Sequence, residues 1–403
     1  MSKLDSDSAS HRHDVAIIGG GVVGTTLALG LGRLGLRVAV IDREEPQALS
    51  DSGFDGRASA IALGSQELLD RLGLWADLAP EAGPILDIRV SDGPSRLFLH
   101  YDHRTVGDRP FGWIVENHRL RGRVWAAALA EPGVTALTGR TVASVVTSAT
   151  EATVTLTDGT PITAALVLGC DGRASLVRKA AGIPALADSY KQTALVFAVY
   201  HDEPHNGVAH ERFLPGGPFA VLPLADPHRS SIVWTEQHDL ADRLIGLSDA
   251  ALAAEMLARF GDCLGRIIPE GKRWRWPLAV HLASRFTGRR LALVGDAAHG
   301  IHPIAGQGLN LGLRDVAALI DLIAEATRIG RDIGDPGLLA AYESARRADV
   351  TAMVAATDGL NRLFSNDSSL LRGARSLGLA AVERMPGLKG LFMRQAMGIR
   401  GSD

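Results

Sequence analysis

Cysteine is nearly missing from this chain. Two residues in 403, Cys170 and Cys263, exclude a disulfide-dense secreted scaffold and a four-thiolate zinc site, and favour a reducing, cytoplasmic setting. Long hydrophobic runs are missing too: no stretch of about 18 apolar residues offers a bilayer span, although contact with the inner face of a membrane stays compatible. There is no excess of either charge. A net charge of -3 and a pI near 6.5 exclude a general nucleic-acid binder, which needs a basic surplus to displace counterions. Neither a Gly-x-Ser-x-Gly elbow nor a P-loop occurs, so hydrolase and kinase chemistry have no anchor. Residues 1–13 lack the apolar core of a signal peptide and carry acids foreign to a transit peptide, and are expected to be a disordered polar tail. What remains is ample: 46% apolar residues over 403 can build a large core in two or three domains.

From Asp14 the chain runs DVAIIGGGVVGTTLALGLGRLGLRVAVID. An apolar run, a glycine cluster, a helix-compatible stretch and a second apolar run ending in an acid form a βαβ unit with the dinucleotide fingerprint Gly19-x-Gly21-x-x-Gly24. Such glycines permit a tight turn, close approach to a pyrophosphate and tight helix packing, and the helix N-terminus favours the anion. Asp42 lies where a carboxylate accepts a ribose hydroxyl. A second match, Gly30-x-Gly32-x-x-Gly35, has no strand before it and is assigned to helix packing and a helix end.

Two further motifs lie far downstream. Residues 165–178, ALVLGCDGRASLVR, place Asp171 between a strand and a helix start. Residues 289–315, RRLALVGDAAHGIHPIAGQGLNLGLRD, end an apolar strand at Gly295-Asp296 and lead through a glycine-rich turn into a helix near Leu309 and Asn310. Asp296 suits a polyol hydroxyl, and the helix start suits an anionic group.

The three motifs together, with Cys170-Asp171-Gly172 and Gly295-Asp296-Ala297-Ala298-His299, resemble the single-component FAD-dependent aromatic hydroxylases of the p-hydroxybenzoate hydroxylase type. The stretch His302 to Asp315, HPIAGQGLNLGLRD, looks like the signature of the ubiquinone-biosynthesis hydroxylases, the UbiH/UbiF/UbiL group. Asp55-x-Arg57, Ser59 to Leu63, Val115-Glu116-Asn117, RFLPGGPFAVLPL and LKGLFMRQAMG extend the resemblance over nearly the whole chain after Asp14. It implies an α/β Rossmann-like FAD-binding domain with an inserted antiparallel substrate sheet and C-terminal helices. Gly19, Gly21, Gly24 and Asp42 would surround the ADP half of FAD, with Arg57 and Asn117 as further contacts. Asp171 would serve a hydrogen-bond network for flavin and nicotinamide use, and Asp296 the ribityl chain. Gly306, Gln307, Gly308, Leu309 and Asn310 would meet the isoalloxazine edge. Pro303 would line the flavin face, with Phe219 and Pro223 as further pocket walls. The implied chemistry is reduction of FAD by NAD(P)H, addition of O2 at flavin C4a, and hydroxylation of an electron-rich phenol in a dry pocket. No general base is evident. Cys170 is expected to be a small packing residue.

Some constellations fail on context. His201, His205 and His210 have metal-like spacing, but Pro204 breaks any helix that would present them together, so a solvated loop is expected. Trp274-Arg275-Trp276 is superficially similar to a flavin-halogenase element, and the match stops at Pro277. It fits a strand returning to the cofactor domain. Short alternating runs separated by turns over 183–283 indicate antiparallel strands. The expected domains are 14–84, 111–182 and 284–336 for FAD, 85–110 and 183–283 for substrate, and 337–403 as a helical region. Residues 370–400 hold six basic residues against Glu383 alone, a local +5 that leaves -8 on the rest. Interleaved with Leu, Met and Phe, this segment suits a membrane surface, a ubiquinone-biosynthesis complex, or the protein's own body. The leading expectation is hydroxylation of a polyprenylated phenol; the alternatives are a hydroxylase of a small soluble aromatic and a non-catalytic flavoprotein assembly subunit.

Overall fold

Val38–Ile41 is buried at all four residues, and Arg12–Ile18 at its last four, as parallel strands covered on both faces are. The computed structural model describes residues 12–45, 56–93, 98–105, 107–302, 306–364 and 397–398. The first strand begins at Arg12, whose partner is Thr163, with His13 beside Ala164. Those two residues therefore belong to the sheet and not to the polar tail expected for 1–13.

Arg12–Ile18 lies parallel between Val38–Ile41 and Pro161–Gly169, and Leu291–Leu293 lies parallel beyond the latter. The register sets Ile18 opposite both Ile41 and Gly169, and Gly169 opposite Leu293. The chain leaves all four strands at one edge of the sheet. There Gly19 N–H donates to Ile41 O at 2.9 Å, Cys170 N–H to Ile18 O at 2.7 Å, and Val294 N–H to Gly169 O at 2.9 Å. Three motifs far apart in sequence are thus stitched together by backbone, at the carboxyl ends of parallel strands where such sheets bind ligands.

The helix Val22–Arg33 covers this sheet and crosses the long helix Gln307–Arg328 closely. A Cβ on Gly30 would lie 2.2 Å from Ile320 Cδ1, and one on Gly312 2.8 Å from Val23 Cγ2. Gly35 turns with φ +81°. The second glycine triplet therefore serves packing and a helix end.

A second eight-stranded sheet runs in the order His299–Gly300, Ile267–Ala283, Ala185–His201, Arg229–Gln237, Gly217–Pro223, Val208–Leu214, Asp87–Asp92, Phe98–Asp102. It is antiparallel except where Val208–Leu214 meets Asp87–Asp92. Trp274 and Trp276 sit in its Ile267–Ala283 strand. One face is covered by the helices His238–Ile245 and Asp249–Phe260, which bury Phe197, Phe219, Ile232, Trp234 and Phe260 in one cluster. The other face packs on a small sheet of Ala58–Ala62, Gly112–Glu116 and Ala82–Ile85. Each large apolar side chain so buried contributes on the order of 1.5–3 kcal/mol. The short strand His299–Gly300 pairs with His281 and Leu282, so the chain crosses from the first sheet to the second directly after Asp296. The helix Pro336–Phe364 follows.

Candidate functional site

The turn after Arg12–Ile18 depends on glycine at each fingerprint position for a different reason. Gly19 has φ +107°, and a Cβ there would sit 2.3 Å from Cys170 O; a Cβ on Gly24 would sit 2.0 Å from Gly19 O. A Cβ on Gly21 would meet nothing within 4 Å. Gly21 is the N-cap of Val22–Arg33, without a side-chain cap and without an acid in the first turn. Its open, uncapped N–H groups suit an anion. Asp42 closes the turn: Gly20 N–H donates to Oδ2 and Glu44 N–H to Oδ1 at 2.8 Å. Trp125, which nothing in the sequence singled out, donates its indole N–H to Gly20 O at 2.9 Å.

Asp171 occupies the neighbouring strand end. Its carboxylate accepts from Ser175 Oγ at 2.5 Å, Leu176 N–H at 2.6 Å and Val177 N–H at 3.2 Å, holding the start of the helix Leu176–Ala180. Its bonds therefore cap that helix. Cys170 is a packing residue: burial, with Asp171 and Asp315 adding to it, pushes its thiol well above the ordinary range.

Asp296 is the single exposed residue in Leu291–Gly300. Its carboxylate lies 3.7 Å from Arg173 Nε, and its carbonyl takes His281 Nε2 at 2.6 Å. Beneath it lies a buried charged network that sequence reasoning missed. Asp315 Oδ2 accepts Gly295 N–H at 2.9 Å and meets His299 Nε2 at 2.7 Å; Oδ1 accepts Arg346 Nε at 2.7 Å. Arg346 continues to Asp349 at 2.7 Å, and Asp349 to Arg314 at 2.9 Å. Burial pushes the Asp315 carboxyl up, but His299 and Arg346 outweigh it and hold it below the usual carboxylate range. The network fixes the turn that presents Asp296. The one sequence signal was Asp315 at the end of the glycine-rich signature; its partner Arg346 carries none.

The second glycine turn ends at Gly306, φ +61°, the N-cap of Gln307–Arg328, again with no side-chain cap and no acid in the first turn. A Cβ on Gly306 would lie 2.9 Å from Ala60 Cβ, whereas one on Gly308 would meet nothing within 4 Å. Leu309 is half-buried, and Gln307 is buried and accepts from Arg314 Nη2 at 3.3 Å. Asn310 turns its amide inward. Fully buried, it accepts Ala62 N–H at 2.9 Å and donates to Ala60 O at 2.9 Å and Gly306 O at 3.2 Å. Arg57 stacks over Trp274 at 4.9 Å and Trp276 at 5.8 Å. Asn117 donates its N–H to Arg57 O at 2.9 Å and accepts Ser59 Oγ at 2.6 Å. Pro303 lies outside the described residues.

Two expectations are corrected. Phe219 is not a pocket wall, because strand alternation turns it to the helix-covered face, where its ring meets Trp234 at 5.1 Å and Phe260 at 6.0 Å. Pro223 is buried, its carbonyl against Gly83. The histidines of 201–210 are not a solvated loop. His201 bonds Glu203 O at 2.7 Å and Ser230 Oγ at 2.9 Å, and His205 bonds Leu224 O at 3.1 Å. His210, buried in a strand beside Arg89 and Arg212, is pushed down to about 4.

A glycine turn, an acid and two uncapped helix starts at one edge of a parallel sheet, faced by a second antiparallel sheet, define a flavin-dinucleotide enzyme of two-sheet architecture. The family model described as "FAD binding domain" matches residues 12–357. The chain is 50% identical to the ubiquinone hydroxylase UbiL of Rhodospirillum rubrum, over 97% of this chain and 91% of that protein. It is 36% identical to the 3-demethoxyubiquinol 3-hydroxylase of Escherichia coli, over 96% and 98%. The p-nitrophenol 4-monooxygenase PnpA of Pseudomonas putida shares the fold at TM-score 0.81, with 20% identity, over 97% of this chain and all of that one. The chain belongs to the FAD-dependent monooxygenase family, in the branch that holds the ubiquinone hydroxylases.

Proposed function

We propose that this protein hydroxylates a polyprenylated phenol in ubiquinone biosynthesis, using FAD, NAD(P)H and O2. The observation that carries the proposal is the alignment of the Gly19 turn, Asp171 and Asp296 at one sheet edge, in a chain half identical to a ubiquinone hydroxylase. The residues present fit the cofactor: the open positions at Gly21 and Gly308 leave room where a Cβ would intrude on a bound group. Gly19, Gly21 and Gly24 would cradle the pyrophosphate, Asp42 the ribose, and Asp296 the ribityl hydroxyls. Gly306, Gln307, Gly308, Leu309 and Asn310 would meet the ring edge, while Arg57 and Asn117 would be further FAD contacts. Bound FAD supplies the electron transfer and oxygen activation that side chains lack. The chain's own part is to bind, orient and keep water out, with the sheet face opposite Ala60 as roof. Pro303 remains a proposed pocket wall.

The domain boundaries expected from sequence stand in this proposal, except that the cofactor domain begins at Arg12. Among the described residues no helix is long and apolar enough to cross a membrane. We place the enzyme in the cytoplasm with segment 370–400 against an anionic bilayer or a ubiquinone-biosynthesis complex; its +5 charge and interleaved Leu, Met and Phe support this. Lipid extracts of a deletion strain test the substrate. An accumulated prenylphenol and a depleted ubiquinone pool are expected, and an unchanged pool would refute the assignment.

A further inference from the structure

Along Val208–Leu214 the side chains alternate between two environments. His210 sets its ring edge on Phe260 at 5.1 Å, and Arg212 lies over the same ring at 5.7 Å while donating to Arg259 O at 2.7 Å. These two face the covering helices. Ala209 packs in the opposite cluster with Leu63, Ile114 and Leu224. Glu211 shares the face of Ala209, because residues two apart on a strand point the same way.

That face looks toward the cofactor domain. Ala58 and Ala60 pack against the same cluster, and Ala60 touches the Cβ position of Gly306 at the helix start. Across the sheet Glu211 stands between Val90 and Ala220, and the row continues through Val233 and Val196. Those neighbours are apolar and small, so nothing polar stands beside the carboxyl in its row. The residue keeps part of its surface accessible, so it is not sealed into packed core. Burial alone pushes its carboxyl up to about 7; no neighbouring charge or hydrogen bond contributes. A lone carboxyl in such surroundings costs stability, and among the described residues this one caps no helix and bridges no strand.

We propose that Glu211 is a catalytic residue that accepts the proton of the substrate's phenolic hydroxyl. The proposal deepens the hydroxylase assignment above and rests on it. The phenol O–H bond breaks, its electron pair stays on the ring oxygen, and the proton moves to the Glu211 carboxylate. The ring, richer in electrons, is then the better nucleophile toward an electrophilic oxygen. The proton returns to the ring oxygen before release, which restores the carboxylate. A base that titrates close to the operating pH is the efficient choice for this transfer, and an ordinary carboxylate would lie further from a phenol near 10.

The test compares wild type, Glu211→Gln and Glu211→Asp as FAD-loaded full chains, with 2-geranylphenol and phenol as probes and hydroxylated product as readout from pH 5.5 to 9. Wild type should lose rate in acid, with a limb near pH 7. Glu211→Gln should make product at least about 100-fold more slowly and lack that limb, with Glu211→Asp in between. Bound FAD should be equal in all three, and the Tm of Glu211→Gln at pH 8 should match or exceed wild type, which a structural carboxyl would not allow. Asp92 shares the face one step along, opposite Phe213, while Arg89, His210 and Arg212 point to the other; Asp92→Asn should leave the limb in place. Equal product formation by wild type and Glu211→Gln at every pH overturns the role of Glu211 alone, as does loss of FAD or of Tm in Glu211→Gln. If wild type hydroxylates neither phenol, the substrate assignment fails, and the proposal with it.

Discussion

At the scale of single residues, exposure separates two acids that look alike in sequence. Asp296 is exposed among buried neighbours and is spent on one weak contact with Arg173, whereas Asp315 is wholly enclosed and holds three partners. Asp296→Ala should therefore fold normally and purify largely without FAD; a full flavin spectrum per chain would remove Asp296 from the site. Asp315→Asn should instead destabilise the fold by about 3–5 kcal/mol, because buried Arg346 and His299 lose the carboxylate they share and Arg346 keeps only Asp349, itself divided with Arg314. Denaturant unfolding measures that loss. The folded Asp315 carboxyl titrates below its unfolded value, so its contribution is complete above roughly pH 4 and is lost as the pH falls through the lower folded value. Acid unfolding of the Asn variant should accordingly depend less steeply on pH.

At the scale of elements, the glycine motifs were legible because their demands are local. A positive φ at Gly19 and Gly306, and a carbonyl 2.0 Å from a Cβ on Gly24, are conditions that glycine meets at the least cost. The Asp42 and Asp296 positions followed from strand ends. Phe219 was not legible, because alternation along a strand shows which residues share a face but not which face meets helices. Asp315 and Arg346 escaped for a related reason: their pairing depends on two long helices packing side by side, which no short window encodes. Asn310 shows the same limit, since its amide bonds to the strand Ala58–Ala62 depend on a partner some 250 residues away. Asn310→Ala leaves Ala62 N–H and Ala60 O without their partner, so a loss of about 1–3 kcal/mol is expected. Amide exchange should quicken in Ala58–Ala62 and hardly at all in Val38–Ile41.

For the whole molecule, a nearly neutral total conceals a division between an acidic body and a basic C-terminal segment. Arg372, Arg375, Lys389 and Arg394 changed together to Gln should abolish sedimentation with vesicles rich in anionic lipid, at about 1 kcal/mol per charge, without altering FAD content. Equal binding by both proteins would remove the membrane from the proposal. The cofactor should also hold the two sheets' shared site together: FAD at a hundredfold excess over its Kd should add about 2.7 kcal/mol of stability, visible as a raised Tm.

The short strand Leu291–Leu293, three residues long and flanked by Pro161–Gly169 on its inner side, governs when this enzyme comes into being. On a ribosome the glycine turn emerges early, but the edge that completes the site cannot form until residues near 293 and the long helix after Gly306 have been made. Early chains thus carry a half-built nucleotide cradle, bridged only by contacts of great sequence separation, which form slowly. Flavin uptake is therefore expected late in folding, and a chain cut short before Leu291 should purify without flavin absorbance.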